Sequence, residues 1–357
     1  MFKVISRSGD ARPAHVAVVI PCYNYGRYLD MCVASVLTQA GVTTQVHIID
    51  DASTDGSTEV AAAIAARDSR VRLTCHQENR GHIATYNEGL SVVDSDYVVL
   101  LSADDMLAPG ALARATALME KFPSVGLVYG HPQAFEAQPH QNGDRARNWS
   151  VWQGERWIKA QFRRGLGIIS SPEAVVRTSV QHQVGYYRPE LPHSGDLEMW
   201  LRIADVSDVG RVNGVDQAYR RLHAASMMTT GYGTLLRDLE ERVKAYESFL
   251  AGSRLSARRI ESLRSTVNRR MAMEALEWSA SKCAAGDAST EDIAAALAFA
   301  RSVFPAAETS IAYHDYLRQN GTPTSLSISG RLAAWRGSLN REFGSRVRWQ
   351  QWRRYGI

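Results

Sequence analysis

The stretch Tyr97-Val98-Val99-Leu100-Leu101-Ser102-Ala103-Asp104-Asp105-Met106-Leu107 decides how this chain is read. An aromatic and apolar run, Tyr97 to Leu101, leads into two adjacent carboxylates, and a break follows at Pro109-Gly110. A short continuous apolar run bounded by turn signals predicts a strand buried on both faces of a parallel sheet. Ligands of such sheets bind beyond the carboxyl ends of the strands. Asp104 and Asp105 therefore have two readings. They cap the helix that follows, as Asp often does, or they hold a divalent cation and the polar groups of a nucleotide.

Upstream, the same pattern recurs. Val16–Ile20 is a strand stopped by Pro21, and a loop, Cys22-Tyr23-Asn24-Tyr25-Gly26, leads to a helical pattern from Tyr28 to Leu37. A second strand, Gln45–Ile49, ends in Asp50-Asp51. The turn-forming Ser53-Thr54-Asp55-Gly56-Ser57 precedes an Ala-rich helix, Glu59–Arg67. Val71–Cys75 is a third strand, and Asn79-Arg80-Gly81-His82 turns into a helix reaching about Val93. A helix from Gly110 to Phe122 and the strand Gly126–Tyr129 follow the fourth strand. Alternation of this kind implies crossover units, hence an α/β fold with a mainly parallel sheet and helices on both faces. Asn24, Asp51 and the Asp104-Asp105 pair then converge on one edge. No Gly-x-Gly-x-x-Gly follows the first strand and no Gly-Lys-Ser/Thr loop occurs. A nucleotide bound here needs a metal to neutralise its phosphates.

Bulk properties exclude several classes. A chain of 357 residues suggests a core domain with an accessory part. Its 45% apolar and 22% charged content is that of a globular protein, and no apolar run reaches membrane-spanning length. Cys22, Cys32, Cys75 and Cys283 show no metal-ligand spacing and no framework of bridges. With Met1–His15 lacking the apolar core of a secretory signal, the expectation is a cytoplasmic protein with reduced thiols. Net charge is +4, yet residues 331–357 alone carry +6, leaving the other 330 residues at about −2. That distribution argues against nucleic acid as the main partner.

The order Val-x-Val-Val-Ile-Pro-x-Tyr-Asn (Val16–Asn24), Ile-Ile-Asp-Asp-x-Ser-Thr-Asp-Gly (Ile48–Gly56), Asn-x-Gly (Asn79–Gly81), Asn87 and Asp104-Asp105 resembles the nucleotide-binding half of the family 2 glycosyltransferases. The resemblance covers residues 14–226 and implies the GT-A fold. Residues 14–130 would bind the nucleotide-sugar and residues 131–226 would form the acceptor side, with a helical region at 227–357. It implies further that Asp51 accepts from a ring N–H of the base, with Pro21 and Tyr23 lining the base pocket. Asn24 and Arg80 would also face the nucleotide. Asp104 would reach the ribose or a metal-linked water, and Asp105 would coordinate Mn²⁺ or Mg²⁺ directly. Ser102 stands where many relatives carry a further Asp.

His193–Arg202 is a second informative stretch. Leu197, Trp200, Leu201 and Ala204 share a helical face, and Glu198 and Arg202 are spaced for an i,i+4 ion pair. Asp196 stands at the helix start, as a cap or, by the resemblance, as the general base of an inverting transfer. Tyr219–His223 reads as an alternating strand. By the resemblance Arg220 or Arg221 would neutralise diphosphate charge, Arg221 keeping the family spacing to His223, and His223 would ligate the metal or contact phosphate. Trp149–Arg164 reads as a helix whose Trp149 and Trp152 either stack on a sugar or pack in the core.

Beyond Thr234 the pattern is helical: Leu235–Leu250, Arg258–Cys283, Ile293–Phe304 and Ile311–Leu317. In the last stretch, Trp335, Phe343, Trp349 and Trp352 alternate with arginines. A helix of that composition either lies on an anionic membrane face, which suits a lipid-linked acceptor, or packs through its tryptophans. The combined expectation is transfer of a sugar from a nucleotide-sugar, with a UDP-sugar the leading donor, to a saccharide or lipid-linked saccharide acceptor. Its setting would be bacterial-type polysaccharide or glycan synthesis, in the cytoplasm or at the inner membrane face. A catalytically inactive carbohydrate-binding scaffold and a sugar-phosphate nucleotidyltransferase are the alternatives. The latter should carry a basic, Gly-rich loop after the first strand, which Pro21–Gly26 lacks.

Overall fold

The computed structural model describes residues 12–140, 143, 145–223, 234–285 and 289–309. The chain divides into two compact units, residues 1–158 with 167–226, and residues 159–166 with 227–357.

The first unit is built on β1 (Ala14–Cys22), β2 (Val42–Asp50), β3 (Val71–Cys75) and β4 (Tyr97–Leu100), all mutually parallel where they pair. Crossovers through α1 (Gly26–Leu37), α2 (Ser57–Arg67) and α3 (His82–Ser91) join them. Register sets Cys22 beside Asp50 and Val19 beside Leu100, so β1, β2 and β4 end at one edge. All four residues of β4 are buried, which is why the run carries no alternation.

Both faces of this sheet are covered. Val16, Val18, Ile20 and Ile48 share a core with Leu29 and Val33 of α1, Ile64 of α2 and Leu112 of α4 (Ala111–Lys121). On the opposite face α3 lies directly on Val19 and Ile49. A Cβ at Gly89 would come within 2.8 Å of the Ile49 side chain and closer still to Val19. Only glycine lets that helix sit so low.

Beyond β4 the expected parallel series ends. Strand order is β3-β2-β1-β4-β8-β6-β9-β5, with β7 pairing β9. Here β5 is Met106–Leu107, β6 Val125–Phe135, β7 Asn148–Trp152, β8 Val175–Arg177 and β9 Asp208–Arg221. β8 lies antiparallel between β4 and β6, while β5 and β7 run antiparallel to β9. Hydrophobic pattern predicts that a segment is a strand but not its direction, which the long-range pairing decides. The expected helix over Trp149–Arg164 is also corrected. Its first part is β7, and α5 (Gly154–Arg164) begins only after it. Trp149 is 2% exposed and Trp152 8%, so both are core residues and neither stacks on a sugar.

Two further helices shape the site, α6 (Thr178–Val184) and α7 (Gly195–Val206). The second unit contains α8 (Leu235–Gly252), α9 (Ala257–Ala285) and α10 (Thr290–Val303). Within it Phe162 packs edge-on against Tyr246 at 4.6 Å, and Arg242 bridges Gly165 O and the Glu274 carboxylate at 2.7 and 2.8 Å. No described helix is long and apolar enough to cross a membrane. The expected helix Ile311–Leu317 and the basic tail 331–357 lie outside the described residues.

Candidate active site

The edge formed by β1, β2 and β4 carries two groups of acids and α7 supplies a third, each in a different environment. Asp51 follows β2 directly and is 4% exposed. Its Oδ1 accepts from the Arg80 backbone N–H at 2.8 Å and pairs with His76 Nδ1 at 2.6 Å. Its Oδ2 accepts from Gly81 N–H at 3.0 Å. Burial pushes the Asp51 carboxyl up, but the Arg80 N–H, His76 and Gly81 N–H outweigh it and hold it below the ordinary value. Gly81, at φ +82°, sits at the head of α3 and turns its N–H inward.

The turn around Asp51 is itself fixed by neighbours. Asp50 accepts from Ser53 N–H at 3.1 Å and from Thr58 Oγ1 at 2.8 Å, and so shapes the turn. Asp55 accepts from Ser57 N–H at 3.0 Å. Asn24 Oδ1 takes the Thr54 N–H at 2.8 Å, tying the β1 loop to the β2 loop. Asn24 and Ala52 have φ of 60° and 59°. For alanine this left-handed conformation is strained by about 1 kcal/mol or more. Tyr23 is 46% exposed beside this turn, and Pro21, expected to stop the first strand, lies within β1 opposite Ile49, the strand running on to Cys22. The Arg80 guanidinium bonds Glu88 at 2.7 Å, so it is this residue's backbone, not its side chain, that serves Asp51.

At the end of β4 a tight turn, Asp105 N–H to Ser102 O at 3.0 Å, presents the acid pair. β5 follows immediately, and α4 begins only at Ala111 with Gly110 as its cap. Helix capping by Asp104 or Asp105 is thereby excluded. Asp105 is 5% exposed and its Oδ1 accepts from Arg221 N–H at 2.8 Å. Burial first, and then the adjacent Asp104 charge, push the Asp105 carboxyl up to about 8. Asp104 Oδ2 pairs with His223 Nε2 at 2.9 Å, and Arg221 Nε donates to Asp104 O at 3.1 Å. The Arg221 guanidinium lies over Tyr28 at 4.6 Å and Phe135 at 4.5 Å, a geometry that fixes its plane. Among the described residues no group of three or more His, Cys, Asp or Glu is arranged to hold a metal.

The third acid comes from far along the chain. Asp196 lies in the first turn of α7, one residue inside the helix that Ser194 caps. Its Oδ1 accepts from Tyr187 OH and its Oδ2 from Ser171 OH, both at 2.7 Å. Burial pushes the Asp196 carboxyl above its ordinary value, and these two hydrogen bonds oppose the push. The Glu198–Arg202 pair expected from spacing is present, with Arg202 Nε at 2.8 Å from Glu198 Oε1. Tyr86 of α3 joins the two ends of the site. Burial, Asp196, Asp104, Tyr25 and Asp105 together raise its hydroxyl pKa. It therefore sits within electrostatic reach of both the β4 pair and Asp196.

Sequence reasoning missed His76, Ser171 and Tyr187. No periodicity marks them, because each sits in a loop, a short turn or just past a strand and reaches its acid through one hydrogen bond. His76 had a faint signal as the first residue after the third strand.

Residues 17–180 match the family model described as glycosyl transferase family 2. Over 93 residues, 26% of this chain, the sequence is 40% identical to glycosyltransferase GlyG of Streptococcus pneumoniae serotype 4. The chain spans about a third of such a curated relative's length, 31% for GlyG. The crystal structure of S. aureus TarS 1–349 in complex with UDP-GlcNAc superposes with a TM-score of 0.61 at 14% identity, covering 85% of this chain and 89% of that one. Mannosyltransferase PcManGT from Pyrobaculum calidifontis, in complex with GDP-Man and Mn²⁺, superposes with a TM-score of 0.51 at 17% identity over 86% of each chain. These likenesses establish the fold.

Proposed function

This chain carries a family 2 glycosyltransferase domain of GT-A fold, and from that premise we propose that it moves a sugar from a nucleoside-diphosphate sugar to an acceptor hydroxyl with inversion at the anomeric carbon. The observation that carries this reading is the gathering of Asp51, the Asp104–Asp105 pair and Asp196 around α3, with Tyr86 reached by the charges of the last three.

Each residue has a task. Asp51, held ionised, keeps acceptor capacity for a ring N–H, which uracil, thymine and guanine offer and cytosine and adenine do not. Neighbours crystallised with UDP-GlcNAc and with GDP-Man fit that requirement, and a UDP-sugar is the leading donor. Tyr23 and Pro21 would border the base. Two adjacent carboxylates, one of them pushed toward its protonated form by burial and then by its neighbour's charge, are a donor set that a hard cation relieves. Asp105 and Asp104 would hold Mn²⁺ or Mg²⁺, with donor phosphates and water filling the remaining positions and His223 backing Asp104. When bound, the cation supplies Lewis-acid charge to the departing diphosphate.

Arg221, stacked and oriented, adds a fixed positive charge on that side. Asp196 takes the proton of the acceptor hydroxyl as its oxygen attacks the anomeric carbon and the diphosphate leaves. One displacement inverts the configuration and needs no protein nucleophile. The acceptor in this reading is a saccharide or lipid-linked saccharide of bacterial-type cell-surface glycan synthesis, with the basic tail as a membrane contact. Equal liposome flotation with and without residues 331–357 would remove that contact.

The test is a panel of UDP-, GDP- and dTDP-sugars, assayed for transfer and donor hydrolysis with and without Mn²⁺. A preferred donor with metal stimulation is expected; no binding by any donor sinks the reading. Asp196→Asn should keep donor affinity while transfer falls by about a hundredfold to ten-thousandfold, the range of a lost general base. Wild-type turnover in that variant removes Asp196 from the mechanism.

A further inference from the structure

The Asp196 carboxylate is held by a loop built for the purpose. The segment between α6 and α7 has no regular structure from Gly185 to Leu191, apart from a turn, yet it is anchored on every side. Asn87 of α3 grips Tyr187 by both its backbone groups, donating from Nδ2 to Tyr187 O and accepting from Tyr187 N–H, each at 2.8 Å. Arg202 donates to Val184 O and, at 2.7 Å, to Tyr186 O. Arg188 bonds the fully buried Glu198 at 2.8 Å, and Glu198 also holds Arg202. Residues 184–188 are thus fastened to α3 and α7 by five hydrogen-bonded contacts that use charged or amide side chains.

What these anchors place is the Tyr187 ring. It is 5% exposed and meets the Tyr86 ring edge-on at 5.5 Å. Its other side lies against the start of α7, where Gly195 has no side chain. A Cβ there would stand 3.1 Å from Tyr187 Cδ1, tighter than ordinary contact. Gly195 therefore leaves room beside Asp196 for the ring whose hydroxyl reaches the carboxylate at 2.7 Å. Ser171, from the short turn Ser171–Glu173, supplies the matching bond to the other oxygen.

We infer that Tyr187 is the positioning residue of the base: its hydroxyl, aimed by Asn87 and admitted by Gly195, orients the Asp196 carboxylate and donates to its charged form. This rests on the reading of Asp196 as base. A phenol donating to a carboxylate stabilises the charged form, and so does the Ser171 hydroxyl. His82 of α3 adds a favourable charge interaction, and Tyr86 of the same helix faces Asp196 as a neutral ring. Glu198 on α7 is shared by Arg202 and Arg188, which leaves those three groups with net positive charge. With one bond on each oxygen, a lone pair on each remains for an acceptor hydroxyl. The protein thus fixes the plane of the base and leaves it acceptor capacity.

The experiment is the pH titration of the Asp196 side-chain carboxyl by ¹³C NMR in the full chain, with the signal assigned by its loss in Asp196→Asn. Tyr187→Phe removes only the hydroxyl and keeps the ring that packs on Tyr86 and Gly195. Its Asp196 midpoint is expected to move to higher pH than in wild type, and Ser171→Ala to move it in the same direction. In transfer assays with the donor preferred in the panel above, Tyr187→Phe should lower kcat by about tenfold to a hundredfold, the factor of a charge-assisted hydrogen bond. Donor KM should stay within about twofold, since no donor contact is lost. The acid limb of the pH profile should follow the NMR midpoint upward. An unmoved midpoint in Tyr187→Phe overturns the inference, as does wild-type kcat in that variant. If Asp196→Asn retains transfer, the base assignment fails instead, and the NMR midpoints still decide whether Tyr187 sets the state of this carboxyl.

Discussion

Asp51 and Asp105 stand at the ends of two strands of one sheet, both nearly inaccessible, and their electrostatics are opposite. Asp51 is supplied with donors: Arg80 N–H, Gly81 N–H and His76 lower its carboxyl below the ordinary value. Asp105 has the Arg221 N–H at 2.8 Å, stands beside Asp104 and is raised to about 8. The β2 end is complete with protein atoms alone. The β4 end is charge-crowded, and in the proposed function a cation arriving with the donor would balance it. That contrast suits a site in which one end recognises a neutral base and the other neutralises a diphosphate.

The largest expected effect tests the β4 end. Asp105→Asn keeps an oxygen for Arg221 N–H but removes the charge, so transfer should fall by about a hundredfold or more and Mn²⁺ stimulation should vanish. Thermal unfolding of the metal-free variant should be no easier than that of wild type, because the crowding is relieved. A drop of several degrees in Tm would show that Asp105 is a structural acceptor instead.

Asp51→Asn tests the other end and should behave in the reverse sense. The amide turns a donor toward backbone N–H groups, costing on the order of 2 kcal/mol in stability as well as donor affinity. The pH dependence follows from the sign of the shift. A folded pKa below the unfolded one gives stabilisation that is full above about pH 4 and is lost as pH falls through the folded value. The Tm gap between wild type and Asp51→Asn should therefore narrow as pH is lowered from about 6 to about 3. A gap independent of pH would mean that the donors do not favour the ionised form.

A smaller effect sits beside Asp51. Ala52 holds a φ of 59°, so Ala52→Gly should raise stability, by on the order of 1 kcal/mol, in differential scanning calorimetry. Loss of stability there would point to packing by the Ala52 methyl. The smallest is Arg80→Ala. Its guanidinium is 51% exposed in its pair with Glu88, and only its backbone serves Asp51. Stability should change by less than about 0.5 kcal/mol and nucleotide affinity hardly at all. A clear loss of affinity in calorimetric titration would restore a side-chain role for Arg80.

Several features were legible in the residues because they are local. An apolar run ending in acids marks a buried strand and its functional end, and three such ends in succession mark one edge of a sheet. The helical spacing of Glu198 and Arg202 foretold their ion pair for the same reason. The helix assignment failed over residues 149–152 because aromatic residues and Val151 suit a strand as well as a helix, and pairing with β9 chose between them.

What the sequence determined by itself is therefore the order of strand ends, the identity of the acids placed there and the resemblance they compose. Tertiary structure alone decided what each acid is. Asp51 is low because a loop 29 residues away turns its N–H groups inward, and Asp105 is high because β9 buries it beside Asp104. Asp196 meets Ser171 from 25 residues upstream and Tyr187 from 9 upstream across an irregular loop. Ionisation depends on distance, burial and donor direction in space, and none of these is a function of spacing along the chain.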